Sequence, residues 1–136
     1  MKINIIITAL FCCFSFFLNA QQLDSMDALI AAPKNHRILF ENDSVRILEV
    51  TLLPGEKEPF HHHQRPSIFI VTSPARIWYV VYQTGKDPLV HEPQKIRTRL
   101  PSDPYRVLVF TPDSLHYTEN VDTIPFRAIR IEFKKK

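Results

Sequence analysis

The distribution of proline is the feature that most limits what this chain can fold into. Its 136 residues include eleven prolines and only two glycines. Proline interrupts helices and cannot donate to the interior of a sheet, so it is confined to turns, edges and the ends of elements. Most of the prolines fall between runs of apolar residues, which argues against long helices and against βαβ units. They are Pro54, Pro59, Pro74, Pro88, Pro93, Pro101, Pro104, Pro112 and Pro125.

The apolar runs between these prolines alternate with a period of two, which is typical of strands. In VRILEVTLL, residues 45–53, Leu48, Val50 and Leu52 share one face, and this predicts a strand with a core side and a wetter side. The runs SIFIVTS, RIWYVVY and RVLVF are equally rich in β-branched and aromatic residues. Many short strands separated by turns predict an all-β sandwich or small barrel.

The last run, FRAIRIEF, gives the same reading. Ile129, Ile131 and Phe133 face away from Arg130 and Glu132 in an extended chain. The pattern therefore predicts a closing strand with an apolar side toward the core and a charged, wetter side.

A short helix is predicted before the first strand, in DSMDALIAAP. This stretch offers Asp24 or Ser25 as an N-cap, apolar residues at helical spacing and a stop at Pro33. We therefore divide the body of the chain into an N-terminal segment with a short helix, residues 21–35, and a single β-barrel domain, residues 36–136.

The first twenty residues have the layout of a secretory signal peptide. Lys2 precedes an apolar block of 16 residues, and a small-residue step ends at Ala20. A membrane-spanning helix needs about 20 apolar residues, so the block is short for a permanent anchor. We expect cleavage after Ala20, a periplasmic or secreted protein, and no stable membrane anchor afterwards.

Cleavage of residues 1–20 changes the charge and the cysteine count. Lys2 is the only charged residue in that segment, so 16 Lys and Arg remain against 14 Asp and Glu, a net charge of +2. This excess is too small to indicate binding to nucleic acid. Both cysteines, Cys12 and Cys13, leave as well. Any metal in the mature chain must therefore be held by histidine and carboxylate.

Three consecutive histidines, His61, His62 and His63, raise the question of a metal site. On an extended chain His61 and His63 point to one side, about 6.6 to 6.8 Å apart, and His62 points to the other. Two imidazoles at that spacing can tilt onto one ion, but a protein-bound transition metal usually takes at least three protein ligands.

The third ligand must come from His36, His91 or His116. His116 is the best candidate, because it follows an apolar strand and a turn at Pro112 and would begin the next strand. His36 and His91 have no partner at a useful spacing, and we expect both at the surface.

Two motifs flank these histidines. Gly55 is followed by five residues, EKEPF, and then by HHH at residues 61–63, while Pro112 precedes HYTEN, which begins at His116. Both spacings resemble those of the cupin superfamily, small double-stranded β-helix barrels. The similarity extends over about residues 36–134 and is strongest to small, single-domain cupins.

This resemblance implies a double-stranded β-helix, or jelly-roll barrel, that binds a divalent transition metal and forms a homodimer. The metal would be iron, manganese, zinc, nickel or copper, since all of these accept imidazole. The implied metal ligands are His61, His63 and His116.

The first motif departs from the family pattern at its glutamate. That glutamate should stand at Ser67 or Ile68, and neither side chain can replace a carboxylate ligand. What remains is a three-histidine set similar to that of thiol-dioxygenase-type cupins. One hypothesis is therefore an exported metal-dependent enzyme of dioxygenase or isomerase type that acts on a small molecule. The alternative is a non-catalytic module that binds a small molecule and has a degenerate or absent metal site, because the motif glutamate is missing and no general base is recognisable beside the histidines.

Overall fold

The structure, a computed structural model, describes residues 24–83, 94–100 and 103–134. The predicted signal peptide, both cysteines, Gly85 and His91 lie outside the described residues. Within the described ranges no helix is long and apolar enough to cross a membrane. The elements are α1 (Ala28–Ala31), β1 (His36–Glu41), β2 (Val45–Leu52), β3 (Ser67–Ser73), β4 (Ile77–Gln83), β5 (Gln94–Leu100), β6 (Val107–Phe110), β7 (His116–Asn120) and β8 (Phe126–Phe133).

The eight strands form two antiparallel sheets. One sheet has five strands in the order β1-β2-β8-β3-β6, and the other has three in the order β5-β4-β7. Side chains from both sheets line one cavity, so the sheets face each other across it. The all-β prediction is confirmed. Beside the cavity lies an apolar core of Val50, Leu52, Phe69, Val71, Ala75, Ile77, Phe126 and Ala128.

Strand β2 alternates as predicted, with Leu48, Val50 and Leu52 on the buried face. The same face also carries Arg46, which is only 1% exposed. A buried arginine needs ionic partners, and those partners come from two other parts of the chain, described below.

Strand β8 also alternates, but its faces are the reverse of the prediction. Arg130 and Glu132 are buried, whereas Phe133 is exposed. The reason is that β8 lies in the middle of its sheet, where its inward charged side chains meet buried partners of opposite charge. The apolar side of β8 faces outward instead.

The predicted short helix is present, but it begins later than expected. Its N-cap is Asp27, whose carboxylate accepts a hydrogen bond of 3.0 Å from the Leu29 amide. Asp24, one of the two predicted caps, instead begins a preceding turn, in which its carbonyl accepts from the Asp27 amide at 2.8 Å. This turn buries Asp27 against the sheet.

Candidate metal centre

The segment before β3 pairs with β7 and thereby brings the predicted ligands together. The His61 amide donates to the His116 carbonyl at 3.0 Å, and the His116 amide donates back at 2.9 Å. Directly opposed residues in an antiparallel pair point to the same face, so both imidazoles enter the space between the sheets. Their ring centroids are 4.5 Å apart, and the ring of His63 lies 5.1 Å from His61 and 5.7 Å from His116.

His36 belongs to the same group, which corrects its predicted place at the surface. It is 4% exposed, and its ring lies 4.6 Å from that of His61 and 5.2 Å from that of His63. His36 is paired with Val50, whose side chain faces inward, and it points the same way. It is the only buried residue of β1, so the sequence offers no periodic pattern that would reveal it. We refer to His36, His61, His63 and His116 as the histidine cluster.

Every imidazole in the histidine cluster is held by its Nδ1 atom. Each acceptor is a carbonyl or carboxylate oxygen, which cannot donate, so Nδ1 must carry the proton and Nε2 keeps its lone pair. The four Nε2 atoms are thus available as ligands. The Nδ1 partners are the carbonyl of Ala32 for His36 (3.2 Å), of Pro59 for His61 (2.9 Å) and of Ser114 for His116 (2.8 Å), and the carboxylate of Glu132 for His63 (2.6 Å).

Burial keeps these imidazoles neutral. It lowers the pKa of His36 to about 3 and that of His61 to about 4, because the charged form loses its hydration. The pKa values of His63 and His116 also lie well below the ordinary value for the same reason. A neutral imidazole is the form that binds a metal, so the cluster is ready at neutral pH.

His62 points away from the cluster, as the alternation predicts. Its Nε2 atom lies 3.3 Å from the carboxylate of Asp24, and its backbone amide donates to the Met26 carbonyl at 2.9 Å. His62 therefore contacts the N-terminal segment rather than the cavity.

A carboxylate missed by the sequence analysis lies beside the cluster. Glu58 is 3% exposed, and one of its oxygens, Oε1, is 4.0 Å from Nε2 of His61. The same oxygen accepts hydrogen bonds from the Thr118 amide, at 2.8 Å, and from the Thr118 hydroxyl. The other oxygen, Oε2, is buried without a hydrogen-bond partner among the described residues. Burial raises the pKa of Glu58 to about 7.

A local irregularity explains why Glu58 and His61 share a face although they are three residues apart. Glu58 is hydrogen-bonded opposite Thr118, and His61 is paired with His116. Two residues, Pro59 and Phe60, therefore stand opposite Tyr117 alone, which is the arrangement of a β-bulge. A reading based on strict alternation places Glu58 on the opposite face.

Glu132 and Ser67 clarify the missing motif glutamate. Ser67 is buried, and its hydroxyl accepts from Nε of Arg130 at 3.1 Å, so the expected position carries no carboxylate. Glu132 is fully buried and instead supports the cluster from behind, through Nδ1 of His63. Arg130 also forms an ion pair with Asp113.

The cluster opens into a small cavity with about 20 Å³ of space for the centres of water-sized molecules. Glu58, Thr118 and Arg130 add polar groups to its wall. Tyr79 lies close to the cluster, with its ring 4.8 Å from that of His116. The apolar part of the wall consists of Val50, Phe69, Phe110 and Phe126 together with the Tyr79 ring.

Comparison with known proteins identifies the architecture. No protein-family model matches the chain, and no curated protein matches it. A cupin domain from Bordetella pertussis Tohama I superposes with a TM-score of 0.58 at 15% sequence identity, over 74% of this chain and 92% of that one. This chain has the cupin fold.

Two other solved cupins are similar at lower TM-scores. An RmlC-like cupin family protein from Methanocaldococcus jannaschii gives 0.49 at 12% identity, over 73% of this chain and 78% of that one. A cupin superfamily protein from Desulfitobacterium hafniense DCB-2 gives 0.47 at 15% identity, over 74% and 76%. Identities this low concern the fold and not the activity.

The residues at this position of the cupin fold suit a metal. Ligand nitrogens of His36, His61 and His63 lie within 4.8 Å of one another, and His116 is not part of that group. An ion with bonds of about 2.0 to 2.1 Å holds its ligand atoms at most about 4.2 Å apart, so these nitrogens would move slightly closer together to bind one ion. The histidine cluster offers four neutral lone pairs, and Glu58 adds a buried oxygen that has no partner among the described residues. A buried wall so rich in acceptors is stabilised by a cation.

Proposed function

We propose that this protein binds one divalent transition metal per chain through the Nε2 atoms of the histidine cluster, and that the site acts on a small organic molecule. The observation that carries the proposal is the set of four Nδ1 hydrogen bonds, which fix all four imidazoles in the ligand tautomer. Such outer partners are usual for histidines that bind metals. Iron, manganese, zinc, nickel and copper all remain open as the ion.

The protein's own residues would prepare the cavity for chemistry of dioxygenase or isomerase type. A bound ion would supply Lewis-acid or oxygen-activating chemistry. Glu58 lines the cavity and is held through Oε1 by Thr118, so its carboxyl group would accept a hydrogen bond from a donor on the substrate or hold a proton there. The aromatic rings of Phe69, Phe110 and Tyr79 exclude water from the same space.

The alternative is a non-catalytic module that binds a metal or a small molecule. The number of histidines favours this alternative if the bound ion is zinc. Four imidazoles complete a tetrahedral zinc site and leave no open position, as in structural zinc sites. A six-coordinate ion would keep two positions for substrate. The identity of the bound metal therefore separates the two functions.

Export is a further part of the proposal and is supported by the composition of residues 1–20. Cell fractionation with N-terminal sequencing of the mature protein tests it. We expect the protein outside the cytoplasm with Gln21 as its first residue. An intact N-terminus in the cytoplasmic fraction would argue against export.

Metal titration of the purified, metal-free protein tests the central function. We expect one divalent ion per chain, and alanine substitution at any histidine of the cluster should weaken binding by more than the ~10- to 100-fold that follows changes to outer partners. The control is His62→Gln, which removes a neighbouring imidazole but keeps a side chain that can hydrogen-bond to Asp24, and it should leave the affinity unchanged. Equal losses in the control, or no binding by the wild type, would refute the proposal. Oxygen uptake with small thiols and phenols then separates catalysis from simple binding.

A further inference from the structure

The described part of the N-terminal segment, residues 24–35, is linked to the metal centre by a series of buried charged side chains. Asp27 is 4% exposed although it only caps a helix of four residues. One of its carboxylate oxygens caps that helix, and the other lies 3.0 Å from Nη2 of Arg46. A cap alone does not require a buried ion pair, so Asp27 has a second role to explain.

Arg46 links Asp27 to Glu132, which contacts the cluster. It lies beside Glu132 in the paired strands β2 and β8, and its Nε atom is 2.6 Å from Oε2 of Glu132. The other oxygen of Glu132, Oε1, is 2.6 Å from Nδ1 of His63. The order is therefore Asp27, Arg46, Glu132 and His63, and each contact is a direct hydrogen bond between buried groups.

The orientation of the Glu132 carboxylate depends on this series of hydrogen bonds. Two other cations approach its carboxylate, but only at longer range: Arg65 at 3.7 Å and Arg130 at 4.0 Å. The short bond from Arg46 to Oε2 therefore fixes the plane of the carboxylate, and this aims Oε1 at His63. Arg46 is itself held from its other side by Asp27, because a buried guanidinium with one partner would keep unpaired donors.

We infer that Asp27 is a positioning residue for the metal ligand His63, acting through Arg46 and Glu132. The N-terminal segment is thereby part of the metal centre. A second contact supports this assignment, since the carbonyl of Ala32 in the same segment accepts from Nδ1 of His36. One segment thus orients two of the four imidazoles.

The predicted effect on metal affinity rests on the proposed function. It also has a converse, because coupling between two sites is reciprocal. A segment that improves ion binding by orienting His63 is itself stabilised on the barrel, by the same factor, when the ion binds. The inferred effect on the orientation of Glu132 does not require a metal, because the tautomer of His63 in the metal-free protein reports the position of Glu132.

The first test is Asp27→Asn, which keeps a good N-cap residue but removes the charge that holds Arg46. Long-range ¹H–¹⁵N NMR of the metal-free wild type should show His63 protonated at Nδ1 alone. In the variant we expect a mixture of tautomers and metal affinity weakened by about tenfold. The matched control is Glu49→Gln, which breaks the exposed ion pair with Arg37 on the neighbouring strands and should change neither readout.

The second test separates orientation from stability. The triple variant Asp27→Asn/Arg46→Met/Glu132→Leu replaces the buried charges by neutral or apolar side chains, an exchange that often preserves or raises stability. We expect it to remain folded, with some loss of stability because Nδ1–H of His63 is left buried without its acceptor. We also expect it to lose the single His63 tautomer and to bind metal about 10- to 100-fold more weakly.

A well-folded triple variant with wild-type affinity and tautomer would overturn the inference. If the triple variant fails to fold, Asp27→Asn provides the test, because an unchanged His63 tautomer in Asp27→Asn would also overturn the inference. A wild-type protein that binds no metal would refute the proposed function, whereas the tautomer comparison would still decide the role of Asp27.

Discussion

Three imidazoles of the histidine cluster are oriented by backbone carbonyls, and the fourth by a carboxylate. The carbonyl acceptors lie close in sequence: that of Pro59 is two residues before His61, and that of Ser114 is two residues before His116. Such local bonds form as soon as the chain turns correctly. The carboxylate of Glu132 is 69 residues from His63, so this bond requires the finished fold. A charged acceptor also raises the basicity of Nε2, which makes His63 the strongest donor of the four.

The burial of neutral histidines predicts that acid destabilises the metal-free protein. The pKa values of His36 and His61, about 3 and about 4 in the folded state, compare with 6.5 when exposed. The unfolded chain therefore binds more protons below pH 6.5. Stability is complete above that pH and falls by about 1.4 kcal/mol per pH unit for each such histidine as the pH drops toward the folded values.

Glu58 changes the stability in the opposite direction with pH, because burial raises its pKa from 4.5 to about 7. Its contribution grows as the pH falls through that range and offsets about one histidine. Urea unfolding of the metal-free protein should give lower stability at pH 5.5 than at pH 7.0. His36→Gln should flatten the difference, and Glu58→Gln should steepen it. Equal stability of the wild type at both pH values would contradict the buried, neutral cluster.

At the level of elements, strands with one apolar face could be predicted from sequence, and strands without such a face could not. The strands β2, β3, β4, β6 and β8 coincide with runs of β-branched and aromatic residues, and β7 begins at His116 as expected. In contrast, β1 buries only its first residue. The sequence of β5, QKIRTRL, alternates with cations and pairs only with β4 at the edge of its sheet. Edge strands of this kind leave little periodic signal.

The candidate site was predicted where it depends on spacing and missed where it depends on tertiary partners. Alternation separates His61 and His63 from His62, and the turn at Pro112 places His116 opposite them. His36 and Glu58 were missed, because His36 begins an edge strand and Glu58 is separated from His61 by a bulge. The prediction of which face of β8 is buried was also wrong, because a period of two does not show which side of a strand finds buried partners for its charges.

At the scale of the whole molecule, the outer face of the five-stranded sheet carries an apolar row. The strand registers align Phe40, Ile47, Ile131, Ile68 and Val109 across all five strands. Both ends of the row are open in the described structure, with Phe40 51% and Val109 80% exposed. Contiguous apolar surface of this kind usually marks a site of association.

We propose that a second copy of the chain covers this face. Five strands about 4.8 Å apart give a face about 24 Å wide. Strands of up to eight residues are about 26 Å long, so the face covers at most about 620 Å², near the lower end of the roughly 600 to 1,000 Å² per partner of a standard interface. Sedimentation analysis should show a dimer for the wild type and a monomer for Val109→Lys. The matched control is Leu53→Lys, at an exposed apolar residue outside the strands. A monomeric wild type, or a dimer that survives Val109→Lys, would contradict the proposal.

The coordination shell of the bound ion gives the most direct test of the whole account. X-ray absorption at the metal edge of the loaded protein should show imidazole nitrogens at about 2.0 to 2.1 Å, with outer scattering from four rings. The count should fall to three in His36→Ala and stay at four in His62→Gln. A shell without imidazole scattering, or one that His36→Ala leaves unchanged, would contradict the four-histidine site.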